Sequence, residues 1–185
     1  MTSVTTMKTF IPAGPWTVDD LDDFPEGDTR RYELIDGALL VSAEPSLQHQ
    51  RVSARLHRLL QDVAPHNVEV FWPIDVRLSP VRQIAPDITV VRRSDATGRR
   101  LSGLPLLVVE VQSPITRAVD LTLKRRVLEE GGVPSYWLLE PDALVLTVLE
   151  LDGGTYRQVA EVSGKQTYDA VLPFGVRVIP AELAG

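Results

Sequence analysis

The stretch Leu106-Leu107-Val108-Val109-Glu110-Val111-Gln112-Ser113-Pro114-Ile115-Thr116-Arg117-Ala118-Val119-Asp120-Leu121-Thr122-Leu123-Lys124 decides how this chain is read. Its first four residues are apolar on both faces, which predicts a central strand covered on each side. Glu110 follows directly and Gln112 two residues later, where a doubly covered strand should carry no charge without a reason. Ser113-Pro114 ends the strand, because proline cannot donate to a ladder. Thr116 then reads as an N-cap, and the helix it opens carries Asp120 and Lys124 one turn apart. A carboxylate at a strand end and an acid and an amine on the next helix can converge on one point. Burying such groups costs several kcal/mol unless they are paired or bind a metal.

A chain of 185 residues suits one domain with a substantial core. Residues 1–16 read as an N-terminal arm and 17–185 as a single domain. The hydrophobic fraction of 44% and charged fraction of 24% are those of an ordinary soluble protein. No apolar run approaches the ~20 residues of a membrane span, and MTSVTTMKTF lacks the apolar centre of a signal peptide. The expectation is a cytoplasmic protein without membrane partners. The absence of cysteine excludes disulfides, thiolate zinc sites and a catalytic thiol.

The net charge of −6 disfavours indiscriminate nucleic-acid binding. Acids nevertheless crowd residues 18–44, and arginines crowd residues 92–126 around the candidate site. That basic half is either a face for a polyanion or a set of solvated surface charges.

Along the chain, Thr17–Leu21 predicts a short capped helix, and Tyr32–Ile35 with Ala38–Val41 predicts a hairpin turning at Asp36-Gly37. Glu33 within it either faces water or assists a site. Ser46 caps a helix to about Val63 whose buried stripe is Val52, Leu56, Leu59, Leu60 and Val63. Arg51, Arg55 and Arg58 form a basic ridge on another face. His49 lies on the inward side, as a hydrogen-bonded core residue or a ligand, while His57 and His66 show no partner pattern. Strands are expected at Val68–Trp72, Ile74–Leu78, Ala85–Val91 and Pro134–Glu140, then a hairpin of Ala143–Leu151 with Thr155–Val162. Arg92–Gly103 reads as a polar loop, the 117–131 helix ends at Gly131-Gly132, and Val176–Ile179 closes the fold. This order predicts α/β architecture with a mixed sheet flanked by helices.

Asp87 is a second misfit, since strands are depleted in aspartate. Carboxylates on neighbouring strands ~5 Å apart can share one hard cation. Oxygen ligands without histidine or cysteine favour Mg²⁺ or Mn²⁺ over zinc. Such an ion activates water and stabilises charge on a phosphodiester, and Lys124 would support the nucleophile or the phosphate. The competing reading is that Asp120 and Lys124 form an i,i+4 pair worth only ~0.3–0.5 kcal/mol, with no chemistry.

Pro86-Asp87, then a loop, an apolar strand and Glu110, resembles the PD-(D/E)XK nuclease superfamily, although Gln112 stands where that pattern has lysine. A longer string is more specific. Tyr32-Glu33-Leu34-Ile35-Asp36-Gly37, Pro45-Ser46 with His49-Gln50, Pro86-Asp87, Glu110-Val111-Gln112-Ser113-Pro114 with Thr116, Asp120 and Lys124, and Gly132-Val133-Pro134 with Tyr136-Trp137 resemble the bacterial Uma family of endonucleases. The similarity runs from about Arg31 to Leu151; Leu128 and Glu140-Pro141 depart from the family pattern. The resemblance implies a restriction-endonuclease-like core with an N-terminal hairpin. Asp87 and Glu110 would bind the ion with the Val111 carbonyl, and Lys124 would replace the missing lysine. Glu33, His49, Gln112 and Asp120 would be auxiliary, and Arg51, Arg55 and Arg117 would contact nucleic acid. The implied activity is metal-dependent DNA hydrolysis; a non-catalytic binding or assembly module of the same fold is the alternative. Monomer and homodimer are equally compatible with the sequence.

Overall fold

The apolar run ahead of Glu110 forms a strand over Leu107–Val111, and every residue in it is buried, the glutamate included. The computed structural model describes residues 14–24, 30–42, 45–97, 101, 103–113 and 117–184. Within them lie α1 (Val18–Leu21), β1 (Arg31–Ile35), β2 (Ala38–Ser42), α2 (Leu47–Val63), β3 (Val68–Phe71), β4 (Val76–Ser79), β5 (Arg82–Ile84) and β6 (Ile88–Arg92). The central strand is β7 (Leu107–Val111), followed by α3 (Arg117–Val119), a π-helical turn at Asp120–Lys124, and α4 (Arg125–Gly131). Then come β8 (Ser135–Glu140), β9 (Val145–Asp152), β10 (Thr155–Ser163), β11 (Tyr168–Ala170), β12 (Val176–Val178) and α5 (Pro180–Ala184).

The larger sheet has the order β10-β9-β8-β7-β6-β3. β7 pairs antiparallel with β6 and parallel with β8. A parallel pair needs a crossover, and the helical residues 117–131 supply it. Alternation along β7 sorts its side chains. Leu107, Val109 and Val111 join one core cluster with Val52, Leu56 and Leu60 of α2, while Val108 joins a second with Leu128, Val133 and Tyr136. Glu110 has the parity of Val108 and therefore faces the crossover helix. The register of β6 against β7, Ile88 opposite Val109, brings Asp87 level with Glu110 just past the end of the ladder.

A smaller sheet, β2-β1-β5-β4, lies across the crossover helix. The predicted turn forms at Asp36-Gly37, with φ of 50° and 78°. Gly37 is required twice: its φ favours glycine, and a Cβ there would stand 2.6 Å from Pro15 Cβ. The Asp36 carboxylate accepts from Arg82 Nε at 2.6 Å and from Arg126 Nη2, tying the hairpin tip to α4.

Several expectations need correction. β5 and β11 are strands the sequence did not announce, and α5 extends the fold past Val178. Val176–Ile179 is extended as expected over Val176–Val178, and among the described residues β12 pairs with β11 alone. Val63 is exposed, because the helix rotates it off the core at its last turn, and Trp72 is half exposed while Tyr136 and Trp137 are fully buried. Most of the proposed arm and the Thr116 cap lie outside the described residues, but Trp16 N–H donates to Gly37 O at 3.0 Å, so the arm's last residue is part of the fold.

Two substitutions test how the hairpin is fastened. Asp36→Asn keeps a residue that tolerates positive φ but loses the charge facing both arginines. Thermal melting should show a modest loss that shrinks at high salt. Asp36→Ala should lose more, because it adds backbone strain. Equal melting temperatures for all three proteins would contradict this fastening.

Candidate active site

The π-helical turn at Asp120–Lys124 inverts the usual pattern of polar outside and apolar inside. Asp120 and Lys124 are buried, whereas Leu121 and Leu123 are each 39% exposed. The π-helical turn accounts for the inversion. Arg125 N–H reaches back to the Asp120 carbonyl, and that carbonyl also accepts from the Tyr136 hydroxyl at 3.2 Å. An extra residue in the turn rotates the following side chains relative to a regular helix, a distortion found frequently at functional sites.

Three carboxylates surround the Lys124 ammonium. Nζ lies 2.9 Å from Glu33 Oε1, 3.0 Å from Glu110 Oε1 and 3.4 Å from Asp120 Oδ1. All four side chains are at most 4% exposed. Burial works against the charge on Lys124, but Glu110, Glu33 and Asp120 outweigh it and hold its pKa above the usual lysine value. Glu33 Oε1 also accepts from Ala85 N–H at 2.9 Å, which fixes the small sheet against the approach to β6.

Asp87, buried at the same end of the sheet, has a different set of partners. Oδ1 accepts from Arg31 Nη1 at 2.9 Å; Oδ2 accepts from Val111 N–H at 2.8 Å and lies 3.0 Å from His49 Nε2. Burial pushes its carboxyl up, yet the His49 and Arg31 contacts outweigh that and hold it below the usual value. Glu110 goes the other way. Burial raises its carboxyl well above the ordinary range, Asp87, Asp120 and Glu33 add to the rise, and Lys124 offsets only part of it.

Glu33, Asp87, Glu110 and Asp120 thus gather around Lys124 and Arg31. Four carboxyl groups gathered in a buried, oxygen-rich site suit a hard divalent cation. As the side chains stand, no three histidine or acidic side chains among the described residues are grouped to hold an ion. Magnesium needs no such cage, since it retains waters and binds through one or two carboxylates. Asp87 and Glu110, level on adjacent strands, fit that requirement.

The other predicted residues divide. Gln112 is buried, with no hydrogen-bond partner for Nε2 among the described residues, and its N–H donates to Leu139 O at 2.8 Å. Val111 meets the site through its N–H as well as standing beside Glu110. Arg51 is exposed on α2. Arg55 Nη1 donates to Leu183 O at 3.2 Å, and Arg117 pairs with Glu140 at 2.9 Å; neither lies in the carboxylate cluster. Sequence reading missed Arg31. The signal was present: Arg31 and Glu33 share a face of β1, so a buried Glu33 carries Arg31 toward the same site.

Comparison with known proteins agrees with this architecture. The family Uma2, described as "Putative restriction endonuclease", matches residues 18–182. No curated protein matches the chain. Among solved structures, a putative nuclease belonging to DUF820 from Anabaena variabilis ATCC 29413 is similar, with a TM-score of 0.73 and 17% identity, over 92% of this chain and 98% of that one. The fold is accordingly the restriction-endonuclease-like α/β fold expected from the sequence, and the chain belongs to the Uma2 family.

Proposed function

We propose that this protein is a divalent-metal-dependent endonuclease that hydrolyses DNA phosphodiester bonds. The observation that carries the reading is the buried cluster of carboxyl groups at the ends of β6 and β7, with the Lys124 ammonium 3.0 Å from Glu110. Asp87 and Glu110 would hold Mg²⁺ or Mn²⁺, which supplies a water of lowered pKa and charge stabilisation on the phosphate.

The chain's own groups do the rest. Lys124 Nζ places a fixed positive charge where negative charge develops during attack, an arrangement that needs no reorganisation at the moment of reaction. Glu33 and Asp120 hold that ammonium in position and keep it protonated. Arg31 presents a planar guanidinium suited to phosphate oxygens, and His49 orients the Asp87 carboxylate.

One observation favours a second reading. Lys124 and Asp87 find several partners within the chain, an arrangement that a non-catalytic binding or assembly module of this fold would also keep. Cleavage of supercoiled plasmid and single-stranded oligonucleotides with Mg²⁺ or Mn²⁺ separates the two. Asp87→Ala should abolish cleavage and metal binding together. Lys124→Met should lower cleavage by about 10²–10³-fold, the scale of losing one charge-stabilising donor, with circular dichroism confirming the fold. A folded protein that neither binds the ion nor cuts either substrate would establish the module instead.

The opposing demands on Glu110 yield another test. Glu110→Gln removes its repulsion with Asp87, Asp120 and Glu33, while Lys124 keeps two anionic partners. The melting temperature without metal should stay level or rise. The stabilisation that saturating Mg²⁺ confers on the unaltered protein, about 2.7 kcal/mol at a hundredfold excess over Kd, should disappear. A large loss of metal-free stability would show that Glu110 serves the fold rather than an ion.

A further inference from the structure

Beside the carboxylates, between α2 and the Trp72-Pro73 turn, lies a cavity of about 420 Å³ lined by Arg31, Pro45, Gln50, Ala54, Trp72 and Asp87 among others. This volume lies within the ~300–1,000 Å³ of small-molecule sites. Asp87 forms part of its wall, so a group seated there is continuous with the proposed ion site. Resting on the nuclease reading, we propose that this cavity receives one unpaired nucleobase of the substrate strand, stacked on Trp72, and delivers the adjoining phosphodiester to Asp87 and Glu110.

The platform for such a base is already assembled. Trp72 is 49% exposed, although an indole at the end of a short strand could have turned into the core. Its ring stacks on His57, with centroids 4.4 Å apart and planes at 16°. His57 Nε2 in turn lies 3.2 Å from Val70 O, on the strand that leads into Trp72. The imidazole therefore braces the indole from one side and is itself braced by the backbone. Gln50, Ala54 and His57 recur at helical spacing, so a single face of α2 supplies the cavity wall and the brace. Aromatic platforms bind bases irrespective of sequence, because every base has a π-face. Arg31 lines the same cavity and already contacts Asp87, so a cation stands beside the carboxylates where a phosphate would need one. A base in an intact duplex is stacked on its neighbours and cannot enter. The substrate class is thus single-stranded DNA, or duplex DNA with an unpaired or flipped nucleotide.

The experiment uses a short single strand of abasic spacers carrying one central 2-aminopurine, the same strand abasic throughout, and a fully paired duplex of that length, with Ca²⁺ as the divalent ion. The base-bearing single strand should bind at least about tenfold more tightly than the abasic strand or the duplex, with quenched 2-aminopurine fluorescence, as loss of one stacked base implies. Trp72→Ala and the cavity-filling Ala54→Phe should each remove that preference, and Trp72→Phe should largely restore it. Trp72 is exposed and Ala54 half-buried, so these variants leave the core intact, which circular dichroism verifies. Equal binding of base-bearing and abasic strands, or a preference that survives both Trp72→Ala and Ala54→Phe, overturns the proposal. Metal-dependent cleavage that persists in that event leaves the nuclease reading standing; loss of all binding and cleavage by the unaltered protein removes both.

Discussion

A single buried ammonium holds three parts of this protein in register. Lys124 takes Glu33 from the hairpin, Glu110 from the central strand and Asp120 from its own turn, at 2.9, 3.0 and 3.4 Å. An isolated charge in such a place is costly, and removing one member of a buried pair typically costs about 3–5 kcal/mol. The small sheet, the crossover helix and the large sheet must therefore sit where the carboxylates reach the amine. Neighbouring contacts serve the same constraint: Asp36 fastens the hairpin tip to Arg126, and Ala85 N–H fixes Glu33.

One ammonium does not balance the acids around it. The imbalance falls on Glu110, whose carboxyl is pushed well above the ordinary range by burial and by Asp87, Asp120 and Glu33, while His49 and Arg31 hold Asp87 below its own. Neighbouring carboxyls whose surroundings push their proton affinities apart mark a candidate functional site. The π-helical turn belongs to the same picture. It leaves Leu121 and Leu123 half in solvent in order to turn Asp120 and Lys124 inward, an arrangement that packing alone would not favour.

How much of this was legible depends on which residues carried an excess signal. Leu106–Val109 could only be a doubly covered strand, and Glu110 behind it had to be explained. Asp36-Gly37, Ser46 and Gly132 marked boundaries that the structure keeps, because each answers a local backbone requirement. Glu33 was ambiguous, since strand alternation names its neighbours but not which face is buried. Arg31 followed from Glu33 only once that face was known to be buried, whereas β5, β11 and α5 were missed because short strands and a terminal turn gain their stability from partners distant in sequence. The exposed face of Trp72 was equally hidden, for an aromatic after an apolar run suits core and surface alike.

The sequence by itself determined the class of fold, the central strand, the crossover and the acids and lysine that do not belong in a core, because these follow from local periodicity, turn chemistry and the cost of buried charge. Only the tertiary structure decided which partners those charges take: Lys124 with Glu33, Asp120 and Glu110, and Asp87 with Arg31, His49 and the Val111 amide. Those choices depend on how two sheets and a distorted helix meet across separations of up to 91 residues, from Glu33 to Lys124. No short-range rule of spacing or propensity encodes such a meeting.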